Sequence, residues 1–82
     1  MTTKAEIDQW FEQGVAKGAT HMLVVVDTFD HEDYPVYVKP SDDVHKVFAK
    51  FDGENMQRVM EVYSLGRDKF SQLSEERALH FD

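Results

Sequence analysis

The fold is decided by residues 20–38, which read THMLVVVDTFDHEDYPVYV. The run 22–26 is apolar on both faces, whereas a strand with one face in water alternates apolar and polar side chains. We therefore predict a central strand over residues 20–28. Helices would cover one face of this strand, and a loop or a second copy of the chain would cover the other.

A hairpin is predicted to follow from this strand. Residues 29–33 form a polar turn, and residues 34–39 have the composition of a second strand. Pro35 has no amide donor, so it belongs at a strand start or on an edge strand. The two strands and the short turn between them predict an antiparallel pair.

An amphipathic helix is predicted before the hairpin, over residues 4–17. Thr3 and Glu6 have the spacing of a capping box, and Gly18 is a natural stop. The apolar side chains of this helix recur at helical spacing, at Ile7, Trp10, Phe11 and Val15.

A second helix is predicted after the hairpin. Ser41 is its expected N-cap, Asp42 and Asp43 lie in its first turn, and residues 52–53 end it. Its apolar face would consist of Val44, Val47, Phe48 and Phe51.

The remaining chain contains one ambiguous segment, residues 56–65, whose apolar residues fit a helix face as well as a strand. We favour a strand, because a two-stranded hairpin is marginal in water and a third strand completes a sheet. Met56 and Met60 are expected to fill gaps in the core. A last helix is predicted from Arg67 to Leu79, with Phe70 and Leu73 facing the core. The order α-β-β-α-β-α describes a small α+β sandwich with a three-stranded, mostly antiparallel sheet, in a single domain over residues 1–82.

Composition restricts the function. The 82 residues contain 16 acidic and nine basic side chains and no cysteine, for a net charge of −7. Such a charge disfavours direct binding to nucleic acid or to an anionic membrane, since phosphates would repel it. The absence of cysteine excludes disulfides and cysteine-ligated metals and fits a reducing compartment. We expect a cytoplasmic protein, because no apolar run is long enough for a membrane span or a signal peptide.

Two stretches resemble short proteins of bacteriophages and prophages that have no assigned activity. One is residues 20–38, quoted above, and the other is residues 55–63, NMQRVMEVY. The resemblance implies a genomic setting in which small acidic proteins often inhibit or adapt host machinery. It transfers no functional residue to this chain.

Acidic residues are concentrated around the predicted hairpin. Between Asp27 and Asp43, six carboxylates and one lysine give −5 of the total −7. Carboxylates suit hard cations, but the spacing matches no calcium loop and no zinc-protease motif. Paired-carboxylate catalysis needs a cleft and a raised pKa, which an exposed turn does not provide. We therefore predict neither a metal site nor a catalytic site, no cofactor, and no enzymatic activity.

A protein-binding surface is the leading interpretation, in which carboxylates steer a basic partner and aromatic side chains anchor it. The predicted partner-binding residues are Asp27, Phe29, Asp30, His31, Glu32, Asp33, Tyr34, Tyr37, Asp42 and Asp43. The expected function is inhibition of a basic host protein, in the manner of an anti-CRISPR or other counter-defence factor. If that protein binds nucleic acid, the acids would mimic phosphates.

Three alternatives stay open. The acidic hairpin could be a solvated tip that keeps the protein soluble and blocks edge pairing. The chain could instead be a small-ligand or divalent-metal-binding module. The two apolar faces of the central strand also predict a homodimer.

Overall fold

A computed structural model describes residues 3–53 and 56–81. Within them three helices and three strands follow the predicted order α-β-β-α-β-α, which confirms the α+β class. The elements are α1 (Lys4–Ala16), β1 (His21–Asp27), β2 (Asp33–Val38), α2 (Val44–Phe51), β3 (Gln57–Ser64) and α3 (Lys69–Leu73). Asn55, the first residue of the second phage-like stretch, lies outside the described residues.

The sheet has the strand order β2-β1-β3, and both strand pairs are antiparallel. The apolar strand β1 is therefore central, as predicted. Pro35 lies opposite Val24 on the outer strand β2, where a missing amide donor is tolerated. Residues 57–64 form the third strand rather than a helix, which confirms the favoured interpretation.

A β-bulge in β3 explains why this segment also fits a helix. Val24 lies opposite Glu61 and Val25 lies opposite Val59, so Met60 is an extra residue in the ladder. The extra residue lets Val59 and Val62 share one face although they are three positions apart. Both methionines were placed wrongly in the core: Met60 is 42% exposed at the bulge and Met56 is 59% exposed just before the strand.

Both faces of β1 are covered by the same chain. One cluster joins Met22, Val24 and Tyr63 to Ile7 and Phe11 of α1. The other joins Leu23, Val25, Val38, Val59 and Val62 to Val44 of α2, with Phe48 and Phe81 packed against it. The second cover predicted from the sequence is thus α2 and Phe81, so the argument for a second copy of the chain does not apply to this face.

Helix α1 lies directly on the sheet near its own C-terminal end. A Cβ atom on Gly14 would lie 2.7 Å from Leu65 Cδ1 and 2.8 Å from Tyr37 Cε1, so any larger residue would require these two side chains to shift. At the other end Thr3 accepts a hydrogen bond from the Glu6 amide at 3.2 Å, which confirms its capping role. Val15 was wrongly assigned to the apolar face, because it is 47% exposed.

Helix α2 begins two residues later than the N-cap prediction implies. The Asp42 amide donates to the Lys39 carbonyl at 2.9 Å and closes a turn, which leaves Ser41 outside the helix. Asp43 is the N-cap instead, and its carboxylate accepts from the His45 amide at 2.8 Å. The predicted first-turn placement of Asp42 and Asp43 is therefore wrong.

The last helix is much shorter than predicted. α3 has five residues, and Phe70 is 69% exposed instead of facing the core. The chain beyond α3 runs along the outer edge of β3, where Val62 donates to the Ala78 carbonyl at 2.8 Å and accepts from the His80 amide at 2.9 Å. This pairing gives hydrogen-bond partners to backbone groups on the edge of β3, which would lack them if the helix continued.

No helix among the described residues is long and apolar enough to cross a lipid bilayer.

Candidate functional site

The turn between β1 and β2 is held by its own backbone and by two of its carboxylates. The Asp27 amide donates to the Glu32 carbonyl at 2.9 Å, and the His31 amide donates to the Asp27 carbonyl at 2.7 Å. The Asp27 carboxylate accepts from the Phe29 amide at 2.8 Å, and Asp30 accepts from the Glu32 amide at 3.0 Å. These bonds are typical of aspartates in tight turns, and they fix the conformation of the turn.

Met56 joins this turn from a distant part of the sequence. Its carbonyl accepts from the Thr28 amide at 2.7 Å and from the Thr28 hydroxyl at 2.6 Å. Met56 and His31 both have left-handed backbone conformations, with φ of 63° and 61°. Met56 could not be assigned to this surface from the sequence, because nothing in the residue pattern predicts its contact with the turn.

We call residues 27–33 together with Met56 the tip surface. Its two apolar side chains, Phe29 and Met56, are 77% and 59% exposed. Asp30, His31 and Glu32 are exposed beside them, and Asp27 and Asp33 are half-buried at the strand ends. The tip surface therefore combines an exposed apolar pair with four carboxylates.

The two tyrosines proposed as anchors lie elsewhere. Tyr34 packs against the core cluster between the sheet and α2, which we call the α2-side cluster, and its hydroxyl accepts from the Gln57 side chain. Tyr37 lies on the opposite face, where its hydroxyl donates to the Trp10 carbonyl at 2.8 Å. The structure thus packs the two rings against the core clusters on opposite faces of the sheet, so they do not form one anchor.

The predicted acidic region is divided between two ends of the sheet. Asp42 and Asp43 follow the end of β2, whereas residues 27–33 lead into β2 and include its first residue, Asp33. The six residues of β2 separate these groups by roughly 17 Å along the strand. The Asp43 carboxylate is also occupied as the α2 cap. Only the carboxylates of the tip surface therefore form one group.

Among the residues that the structure describes, no three His, Asp or Glu side chains are arranged so that they could hold a metal ion. His45 stacks on Phe81 with ring centres 4.8 Å apart. His80 contacts the Glu75 carboxylate at 2.9 Å. These two histidines are engaged in packing the C-terminal segment.

Tyr63 is the most deeply buried ionisable side chain of the sheet. It has no exposed surface, and its hydroxyl makes no hydrogen bond by distance and angle. Burial raises the pKa of this hydroxyl far above its usual range, and the nearby Glu61 carboxylate raises it further. Tyr63 is therefore protonated at neutral pH and cannot act there as a base or nucleophile.

This pKa predicts loss of stability in alkali. The pKa of Tyr63 is higher in the folded chain than in the unfolded chain. The contribution of Tyr63 to the free energy of unfolding is therefore complete below about pH 10 and falls as the pH rises further. We expect Tyr63→Phe to unfold like the wild type at neutral pH but to lose about 1 kcal/mol less per pH unit above about pH 10. Urea denaturation of both proteins, at neutral pH and above about pH 10, measures this difference. An equal alkaline loss in both proteins would contradict the assignment.

Comparison with protein-family models, with curated proteins and with solved structures found no match to this chain. The resemblance of residues 20–38 to phage proteins therefore stays a prediction.

Proposed function

We propose that this chain is a non-enzymatic binding protein whose tip surface occupies a basic region of another protein. The observation that supports this most is the exposure of Phe29, which at 77% is the most exposed large apolar side chain described. It belongs to the same turn as the exposed carboxylates of Asp30 and Glu32, and its neighbour Thr28 is hydrogen-bonded to the carbonyl of the exposed Met56. An aromatic side chain that is exposed to solvent in a turn rich in carboxylates has no evident role in packing its own domain.

The two kinds of side chain would contribute differently to binding. Burying Phe29 against a partner would contribute about 1.5–3 kcal/mol, as for other large apolar side chains. The carboxylates would mainly accelerate encounter with a basic surface and select against acidic ones. Because the turn is already fixed by its hydrogen bonds, little conformational entropy would be lost on binding.

The charge distribution defines the class of partner. The tip surface has four carboxylates, and Arg58, which lies opposite Val26, is the neighbouring cation on β3. A protein that binds nucleic acid offers the complementary surface, since its basic residues are spaced to receive phosphates. The phage resemblance is consistent with inhibition of such a host protein, as in counter-defence.

Matched charge reversals provide the test. Glu32→Lys changes the tip surface and Asp42→Lys makes the same charge change at the other end of β2, and both residues are exposed. With each variant as bait in a lysate, we expect the wild type and Asp42→Lys to capture the same basic protein. Glu32→Lys should capture about tenfold less, and Phe29→Ala about 30-fold less, as for a hot-spot aromatic.

The opposite pattern of capture would contradict the proposal. If Asp42→Lys loses the captured protein and Glu32→Lys retains it, the partner binds the other end of the sheet. Circular dichroism of each variant verifies that the fold is intact. A melting temperature raised by a divalent cation would instead favour the metal-binding alternative.

A further inference from the structure

A groove of about 290 Å³ lies on the α1-facing side of the sheet, next to the tip surface. Helix α1 lies against the sheet at the other end, where Gly14 contacts Tyr37 and Leu65. Val26, which is half-buried, and Val24, which is 2% exposed, form the apolar floor of the groove. Ile7 of α1 and Met60 of the β3 bulge provide its apolar walls.

Charged side chains surround this apolar floor. Asp33, Glu61 and Glu76 bring three carboxylates to the groove, and Arg77 brings one guanidinium. Arg77 is already engaged with backbone, because Nε donates to the Met60 carbonyl at 2.7 Å and a terminal nitrogen donates to the Val59 carbonyl at 3.2 Å. The groove thus has a negative rim over an apolar floor.

A long cationic side chain matches both properties. Lysine and arginine each combine an apolar stem, which packs on aliphatic surface, with a charged head that pairs with carboxylates. An acidic group would be repelled by the carboxylates of the rim. A purely apolar group would remove those carboxylates from water without offering them a partner. Charge complementarity therefore favours a cationic side chain as the occupant.

The groove is continuous with the tip surface, because Asp33 belongs to both. We propose that the groove receives a lysine or arginine side chain of the basic protein that binds the tip surface. This inference rests on the proposed function and adds a second contact to it: Phe29 anchors the partner at the turn, and the groove holds one of its cationic side chains.

The groove can be tested without the partner. The probes are Nα-acetyl-arginine methylamide and Nα-acetyl-lysine methylamide, with the uncharged norleucine analogue as a control for the stem. They are titrated into the ¹⁵N-labelled protein and followed by amide chemical shifts. We expect saturable shifts at Val24, Val26, Met60 and Glu61 with a Kd of about 1–10 mM for the cationic probes, and weaker binding of norleucine.

Two double variants locate the probe. Glu61→Gln with Glu76→Gln removes two charges of the rim, and the new amide oxygen at position 61 can still accept from the Ala78 amide, now 3.2 Å from the carboxylate. This variant should bind the cationic probes about fivefold more weakly. Asp30→Asn with Glu32→Gln removes two charges of the tip surface and should bind them like the wild type. Equal binding of all three probes, absence of shifts in the groove, or loss of binding only in the second variant would each overturn the inference.

The outcomes separate the two proposals. A groove that binds the cationic probes, in a chain that captures no basic protein, would refute the proposed function. A groove that ignores the probes, in a chain whose tip surface captures a basic protein, would refute the groove inference and leave the proposed function intact.

Discussion

Leu23→Ala is expected to destabilise the protein by about 2–5 kcal/mol. Leu23 has no exposed surface and lies at the centre of the α2-side cluster, where its truncation leaves a cavity. A domain of 82 residues has a total stability of only about 4–12 kcal/mol, so the loss is a large share of it. Urea denaturation should show a lower midpoint at an unchanged slope.

The same substitution at Leu79 is the matched control. Leu79 is 43% exposed and pairs with β3 through its backbone, so Leu79→Ala should cost about 1 kcal/mol or less. If the two variants were equally stable, α2 and Phe81 would not bury the second face of β1 as described.

Gln72→Met is expected to cost about 2–4 kcal/mol, because buried backbone groups would lose their partners. Gln72 is 2% exposed, and its side chain accepts from the Ser64 amide at 2.8 Å and donates to the Ser64 carbonyl at 2.9 Å. Methionine preserves the length of the side chain but can restore neither bond. The measurements are urea denaturation and hydrogen exchange of the Ser64 amide, which should become faster.

Gln9→Met serves as the control, since Gln9 is exposed on α1 and the substitution removes the same amide group. Its stability should match that of the wild type within about 0.5 kcal/mol. Slow exchange of the Ser64 amide in Gln72→Met, at wild-type stability, would show that the Gln72 side chain does not stabilise the Ser64 backbone groups.

The parts of the fold that follow from local pattern could be predicted from the sequence. β1 is apolar on both faces, and this pattern required a central position with two covers. The spacing of Ile7 and Phe11, and of Val44 and Phe48, placed one face of each helix against the sheet. In each of these elements the hydrophobic period alone determines which side is buried.

The parts that depend on distant partners could not be predicted. Phe70 and Leu73 do share a helix, but the chain leaves that helix after Leu73 to pair with β3, and this edge pairing has no local signal. The bulge at Met60 reverses the alternation of β3, so a strand there resembles a helix face. Only the sheet register, which is a tertiary property, distinguishes the two.

The candidate site was predicted in part. The turn residues Phe29, Asp30 and Glu32 are exposed together, as a binding surface requires. Asp42 and Asp43 are near the turn in sequence but not in space, because strand β2 lies between them and the turn. The acidic composition thus identified an excess of charge, and the topology showed which carboxylates share a surface.

The salt dependence of binding to the captured basic protein tests the central claim most directly. The dissociation constant is measured at several salt concentrations for the wild type, for Asp30→Asn with Glu32→Lys, and for Asp42→Lys; asparagine at position 30 can still accept from the Glu32 amide. If the tip surface holds the partner, the double variant binds at least about tenfold more weakly and loses most of the salt dependence, while Asp42→Lys retains the wild-type affinity and slope. Equal affinity and equal slope in the double variant and the wild type would contradict the account.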